Sequence, residues 1–268
     1  MQVACGQCIG CRLERSRQWA VRCMHEIHMY EKNCFITLTY DEEHLPKDYS
    51  LDMRHFQLFM KRLRKKHGNG IRFFHCGEYG DAKERPHYHA ILFNFDFDDR
   101  KLWKLSNGVP VYTSESLEKL WGKGFCTVGA ATFQSAAYVA RYVLKKRTGP
   151  GSARYYERMD PETGEIFELK PEYVTMSRRP GIGKDWIEEY WSDVWPHDYV
   201  VVNAHKTRPP RFYEKQLEAA DPSAHKQVKR ERKAKNLQFA DNQTPERLLV
   251  REKVQQSRLD RLKREGVE

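Results

Sequence analysis

Residues 71–93, IRFFHCGEYGDAKERPHYHAILF, hold two apolar runs separated by a polar, turn-like stretch, which predicts a β-hairpin. Alternate residues of a strand share a face, so His87 and His89 project side by side while Tyr88 points away. Glu78, near the end of the preceding strand, then sits close to both histidines. Two neutral imidazoles and a carboxylate leave positions for water and phosphate oxygens. That donor set suits Mg²⁺ or Mn²⁺ in phosphoryl transfer and, less selectively, Zn²⁺. Taken alone, the pattern fits packed or hydrogen-bonded histidines equally well.

A second stretch adds chemistry. QSAAYVARYVLKKR, residues 134–147, has strong helix formers and no Gly or Pro, which predicts a helix. On it Tyr138 and Tyr142 stand about 40° apart around the axis, with Lys145 roughly 20° to the other side of Tyr138. Two phenols and an ammonium therefore share a face. A phenol, with a pKa of about 10, attacks phosphorus poorly at neutral pH unless a cation neutralises the developing charge. The alternative is that the tyrosine pair is the amphipathic face of a helix packing on a sheet.

Around these stretches, residues 12–31 predict a helix with Leu13, Trp19, Ala20, Val21, Met24 and Ile27 facing inward. CFITLTY, residues 34–40, predicts a strand near the middle of a sheet. MRHFQLFMKRLRKKHG, from residue 53, predicts an amphipathic helix that buries Phe56, Phe59 and Leu63 and ends at Gly68. Polar residues 96–113 read as a connection, SESLEKLWG as a helix capped by Ser114, and GFCTVGAATF as a further strand. The expected fold is α+β, a largely antiparallel sheet with helices packed on one face. The expected organisation is an N-terminal Cys-containing helical segment (1–33), a core (34–147), a loop and strand/helix continuation (148–205) and a basic, largely helical tail (206–268). In the continuation, RTGPGSARYYERMDPETGE reads as a loop or small hairpin. Its Tyr155 and Tyr156, beside Arg154 and Arg158, offer rings to bases, and Arg178 and Arg179 are available to a phosphate.

The formal charge of +10 and a pI near 9.2 point to a polyanionic partner. From Lys206 onward there are 17 Lys and Arg against 10 Asp and Glu, so much of that charge lies in the tail, as a phosphate-contacting arm or a solvated helical surface. No run approaches the roughly 18 apolar residues of a membrane span, and the first residues lack a secretory apolar core, so the expected location is cytoplasmic. Seven cysteines without a secretory mark argue against a disulfide framework. Cys5, Cys8 and Cys11 nevertheless follow a C-x2-C-x2-C spacing that Cys23 or His25 could complete as a structural Zn²⁺ site; the other reading is reduced, partly buried thiols. No G-x4-GK[ST] occurs, so the chain carries no recognisable ATPase.

FITLTY (35–40), the Glu78 and RPHYH block, and YVARYVLKK (138–146), in that order, resemble the three motifs of HUH endonucleases that initiate rolling-circle replication, specifically the initiators of gokushovirus-type microviruses. The likeness extends to CGQCIGCRLERSRQWAVRCMHE near the start and VTMSRRPGIGKDW at 174–186. The resemblance implies a ferredoxin-like sheet, a metal held by His87, His89 and Glu78, and nicking tyrosines on the later helix. Two of them, Tyr138 and Tyr142, resemble the two-tyrosine branch, in which the phenols alternate in cleavage and rejoining of single-stranded viral origin DNA. Lys145 would stabilise charge, and Arg141 and Lys146 would help hold DNA. A host polymerase would extend the free 3′-hydroxyl and a host helicase would open duplex DNA, all in the cytoplasm of a bacterial cell. The rival expectations are a single-tyrosine relaxase or transposase and a non-catalytic single-stranded DNA-binding protein.

Overall fold

The computed structural model describes residues 5–80, 85–145, 152–159 and 163–264. Helix α1 (Ile9–His28), strand β1 (Asn33–Leu38) and helix α2 (Met53–His67) lead into the hairpin of β2 (Arg72–Tyr79) and β3 (Pro86–Phe93). Strands β4 (Lys101–Ser106) and β5 (Val109–Thr113) precede α3 (Glu115–Trp121), β6 (Cys126–Ala130) and α4 (Phe133–Lys145). There follow α5 (Ser152–Tyr155), β7 (Glu157–Met159), β8 (Ile166–Glu168), β9 (Tyr173–Met176), α6 (Lys184–Glu189) and α7 (Trp191–Val194). Strands β10 (Val200–Val202) and β11 (His205–Thr207) and helices α8 (Arg211–Ala220), α9 (Pro222–Leu237) and α10 (Pro245–Arg264) finish the chain.

Among the described residues the main sheet has seven strands in the order β4-β5-β6-β1-β3-β2-β9, paired antiparallel. Strand β1 is its centre, as its β-branched and aromatic residues predict. Within it, β1-α2-β2-β3-α3-β6 is a ferredoxin-like unit. The fold is thus α+β and largely antiparallel, with the basic tail helical. Two features correct the sequence reading. Residues 101–113 form a hairpin turning at Asn107 and Gly108, both with positive φ, rather than a plain connection.

The second correction is that helices cover both faces of the sheet. On one face Ile36, Leu38, Tyr88, Ala90 and Leu92 meet Phe56, Phe59 and Leu63 of α2 and Leu117 and Trp121 of α3. On the other, Phe74, Cys76, Ile91 and Phe93 meet Ala20 and Cys23 of α1 and Ala136, Val139 and Ala140 of α4. Strand alternation sorts residues between these two cores, so His87 and His89 fall on the face of Ile91 and Phe93, under α4.

Helix α1 also departs from its expected inward stripe. Leu13, Trp19, Met24 and Ile27 are only half-buried, whereas His25 and Glu26 are buried. Glu26 pairs with the buried Arg72 of β2 and accepts from the Gly183 backbone N–H at 2.6 Å. Both ions are thereby satisfied, which holds α1 in register on the sheet. Among the described residues no helix is long and apolar enough to cross a membrane.

Candidate metal and nucleophile site

Antiparallel register sets Glu78 directly opposite His87, and His89 opposite Thr37 of β1. The Nε2 atoms of His87 and His89 lie 3.0 and 2.9 Å from the same oxygen, Oε1 of Glu78. These three residues form one of two metal-ligand groupings among the described residues. Each ring is anchored through its other nitrogen. His87 Nδ1 donates to the Arg85 carbonyl at 3.1 Å, and His89 Nδ1 shares a hydrogen bond with Thr37 Oγ1 at 3.0 Å. Phe35 stacks on the His89 ring at 5.5 Å between centroids.

This arrangement fits a divalent cation. A carbonyl accepts only, so the proton of a neutral His87 ring sits on Nδ1 and its Nε2 lone pair faces a carboxylate oxygen. Two lone pairs at 3.0 Å are reconciled by a proton on the ring or by one shared cation. Burial alone would raise the carboxyl of Glu78, but hydrogen bonds from His87 and His89 outweigh it and hold the group well below the usual carboxylate range. An ionised carboxylate beneath two imidazoles is a donor set for a hard or borderline ion.

Helix α4 lays Tyr138 over this cluster. Its hydroxyl donates toward Glu78 Oε1 at 3.4 Å, and its ring meets that of His89 edge-on at 5.0 Å. Such aromatic contacts are worth about 0.5–1.5 kcal/mol beyond burial and fix the phenol's direction. The Arg141 guanidinium lies 5.7 Å from the Tyr138 ring centroid, one turn along the helix. The α4 backbone carries Tyr142 one turn beyond Tyr138. The side chains of Tyr142 and Lys145, and Lys146 altogether, lie outside the described residues.

Other expected residues stand elsewhere. Arg178 and Arg179 are exposed just past β9, whose last residue Met176 pairs with Phe74, at the end of the sheet away from Glu78. Tyr155 is exposed, but Tyr156 is buried and donates to Glu172 at 2.6 Å, so only one ring of that pair is available to a base. Cys5, Cys8 and Cys11 do cluster, with Cys5 and Cys11 Sγ atoms 3.9 Å apart. Backbone N–H groups of Cys8 and Gln7 pull the Cys5 thiol down to about 7. Cys23 does not join them. It lies about 18 Å further along α1 than Cys11, fully buried against Phe74 and Ala140. Nor does His25, which stacks on Trp186 and shares a 2.8 Å hydrogen bond with the Tyr213 hydroxyl.

Phe35 and Thr37, which orient His89, escape a motif-based reading. Their signal is the alternation of FIT in β1, which turns both toward the neighbouring histidine strand.

Residues 33–147, the span from β1 to α4, match the family of replication-associated protein ORF2. The chain is 36% identical over 250 residues to replication-associated protein VP4 of Bdellovibrio phage phiMH2K, covering 90% of this chain and 75% of that protein. It is 34% identical over 230 residues to replication-associated protein ORF2 of Spiroplasma virus 4, covering 81% and 68%. With replication-associated protein ORF4 of Chlamydia phage 1 the identity is 38% over 151 residues, covering 53% and 38%. No solved structure matches the chain.

Proposed function

Since this chain belongs to the phage replication-associated protein family, as a microvirus-type replication initiator, we propose that it starts replication by nicking and later rejoining single-stranded viral origin DNA through a 5′-phosphotyrosine link. The observation that carries this reading is the Tyr138 hydroxyl aimed at the carboxylate oxygen on which His87 and His89 converge. Glu78, His87 and His89 would hold Mg²⁺ or Mn²⁺, which supplies polarisation of the scissile phosphate and neutralises charge there.

The protein's own residues do the rest. Glu78, its proton affinity depressed, accepts a hydrogen bond from the phenol and orients it rather than taking its proton. The tyrosine oxygen bonds to phosphorus in line as the P–O3′ bond breaks. The phenolic proton leaves to water and the 3′ oxygen gains one, giving a 3′-hydroxyl that a host polymerase can extend. Attack by a 3′-hydroxyl on the phosphotyrosine reverses the step and reseals DNA without ATP, because the bond energy is kept. Tyr142 serves as the second nucleophile, with Lys145 neutralising charge and Arg141 and Lys146 holding the strand. The chain acts in the cytoplasm of the host cell, with a host helicase opening any duplex.

Labelled single-stranded fragments of the viral strand, incubated with the protein and Mn²⁺, should yield a denaturation-resistant protein–DNA band that EDTA abolishes. A protein that binds these fragments in EDTA yet forms no such band with any of them is a passive binder, and the reading fails.

The thiol cluster supports a second metal. A tetrahedral site with Zn–S bonds of about 2.3 Å has S–S edges of about 3.8 Å, and Cys5 and Cys11 stand 3.9 Å apart. The Cys8 backbone N–H donates to Cys5 Sγ at 3.2 Å, the outer-shell contact that steadies a thiolate ligand. Cys5, Cys8 and Cys11 would hold one Zn²⁺ with its fourth position left to water. Elemental analysis of the purified protein should find zinc at one per chain, lost in Cys8→Ser and kept in His87→Ala. Zinc-free protein with three titratable thiols there would identify them as simple reduced cysteines.

A further inference from the structure

Two large aromatic side chains stand exposed beside the nuclease site. Phe125, just before β6, and Trp103, in β4, are 41% and 48% exposed, with ring centroids 4.9 Å apart. The Phe125 carbonyl accepts from both the N–H and the hydroxyl of Thr39, at 3.1 and 2.7 Å. Thr39 continues β1 one residue past Leu38, which pairs with Tyr88, so it lies opposite His87, and His87 lies opposite Glu78. Phe125, Thr39, His87 and Glu78 thus form one row across four strands. Phe125 is two strand spacings, about 10 Å, from His87.

The position is built. Gly124 holds φ +137° with its Cα against Asp41, where any Cβ would come 2.4 Å from the Asp41 backbone nitrogen. That close approach pins the residue carrying the Phe125 ring. Lysines complete the surface. Lys104 Nζ lies 4.5 Å from the Trp103 ring centroid, Lys101 stands two residues before Trp103, and Lys123 stands two residues before Phe125.

Exposed rings cost free energy unless something covers them. A second copy of this chain pairing along β4 is disfavoured, because lysines on an edge strand block strand addition. Rings interleaved with lysines match single-stranded nucleic acid, whose bases stack and whose phosphates take the charge. Continuity with the Glu78–His87 row says which part of the strand arrives there.

We propose that Trp103 and Phe125 are a stacking platform for bases of the single-stranded DNA flanking the scissile phosphate, with Lys104 on the adjoining backbone. The proposal rests on the nicking reading above and adds the surface that positions its substrate.

The test measures binding of the fragment that forms the covalent band, in EDTA so that no cleavage intervenes. Trp103→Ala and Phe125→Ala should each weaken binding about 10-fold, in keeping with loss of one base–ring contact. With Mn²⁺ both variants should form the covalent band at the wild-type maximal rate once DNA saturates. Trp103→Phe should keep wild-type affinity while losing part of the fluorescence quenching that DNA causes in the native protein, which separates stacking from misfolding. Unchanged affinity in both alanine variants overturns the platform even when nicking is intact. So does a change of oligomeric state without a change in DNA binding, which marks the patch as an interface between copies. Absence of the covalent band in the native protein, with ring-dependent binding preserved, would instead sink the nicking reading alone.

Discussion

A Tyr138→Phe/Tyr142→Phe double variant should form no covalent adduct with origin DNA, a loss on the order of 10⁴-fold or more, because removing the nucleophile removes the reaction path. Each single variant should still form adduct through the remaining phenol. Phenylalanine keeps the edge-on contacts of Tyr138 with His89 and Phe35 and deletes only the oxygen near Glu78, so folding is preserved. Complete loss in one single variant, with the other unaffected, would point to single-tyrosine chemistry of the relaxase or transposase kind. Gel quantification of the denaturation-resistant band over time provides the measure.

Removing a metal ligand should have the next largest effect. His87→Ala leaves two of three donors, and Glu78→Gln replaces the one anionic ligand with a neutral group of the same shape. Disturbing outer-shell partners of a metal commonly costs 10- to 100-fold in affinity, so loss of a ligand itself should weaken Mn²⁺ binding by at least about 100-fold. Adduct formation should fall in step. DNA affinity in EDTA should stay within about 2-fold of the native value, since phosphate contacts elsewhere supply it. Electron paramagnetic resonance of Mn²⁺ titrated into each protein reads the first quantity and the adduct assay the second. Native Mn²⁺ affinity in both variants would remove Glu78, His87 and His89 from the metal's shell.

How much of this was legible in sequence follows from the range of the forces involved. The β2–β3 hairpin, the partners of Glu78 and the amphipathic α2 all rest on local periodicity, and they emerge with register intact. The cover on both sheet faces has a local sign too: RFFHC and HAILF are near-continuous apolar runs, as expected of strands buried on both sides. The β4–β5 hairpin is signalled only by Asn107-Gly108, because edge strands with lysine between exposed Leu and Trp show no buried alternation.

Long-range pairing is another matter. The union of Glu26 with Arg72, the stacking of His25 under Trp186 and the placement of Phe125 beside Thr39 depend on elements far apart in the chain, and no spacing rule announces them. Cys23 shows the converse. Its proximity in sequence to Cys5, Cys8 and Cys11 is undone by the straight rise of α1, which carries it into the core.

The most direct measurement is the identity of the residue that carries DNA. Trypsin cuts after Lys123, Arg141 and Lys145, so Tyr138 falls in the peptide 124–141 and Tyr142 in the peptide 142–145. After nuclease trimming of the adduct and digestion, mass spectrometry should find a nucleotide on one or both of these peptides, at the tyrosine, and on no other. A nucleotide on any other residue, or none on protein that binds the same DNA, would contradict the account.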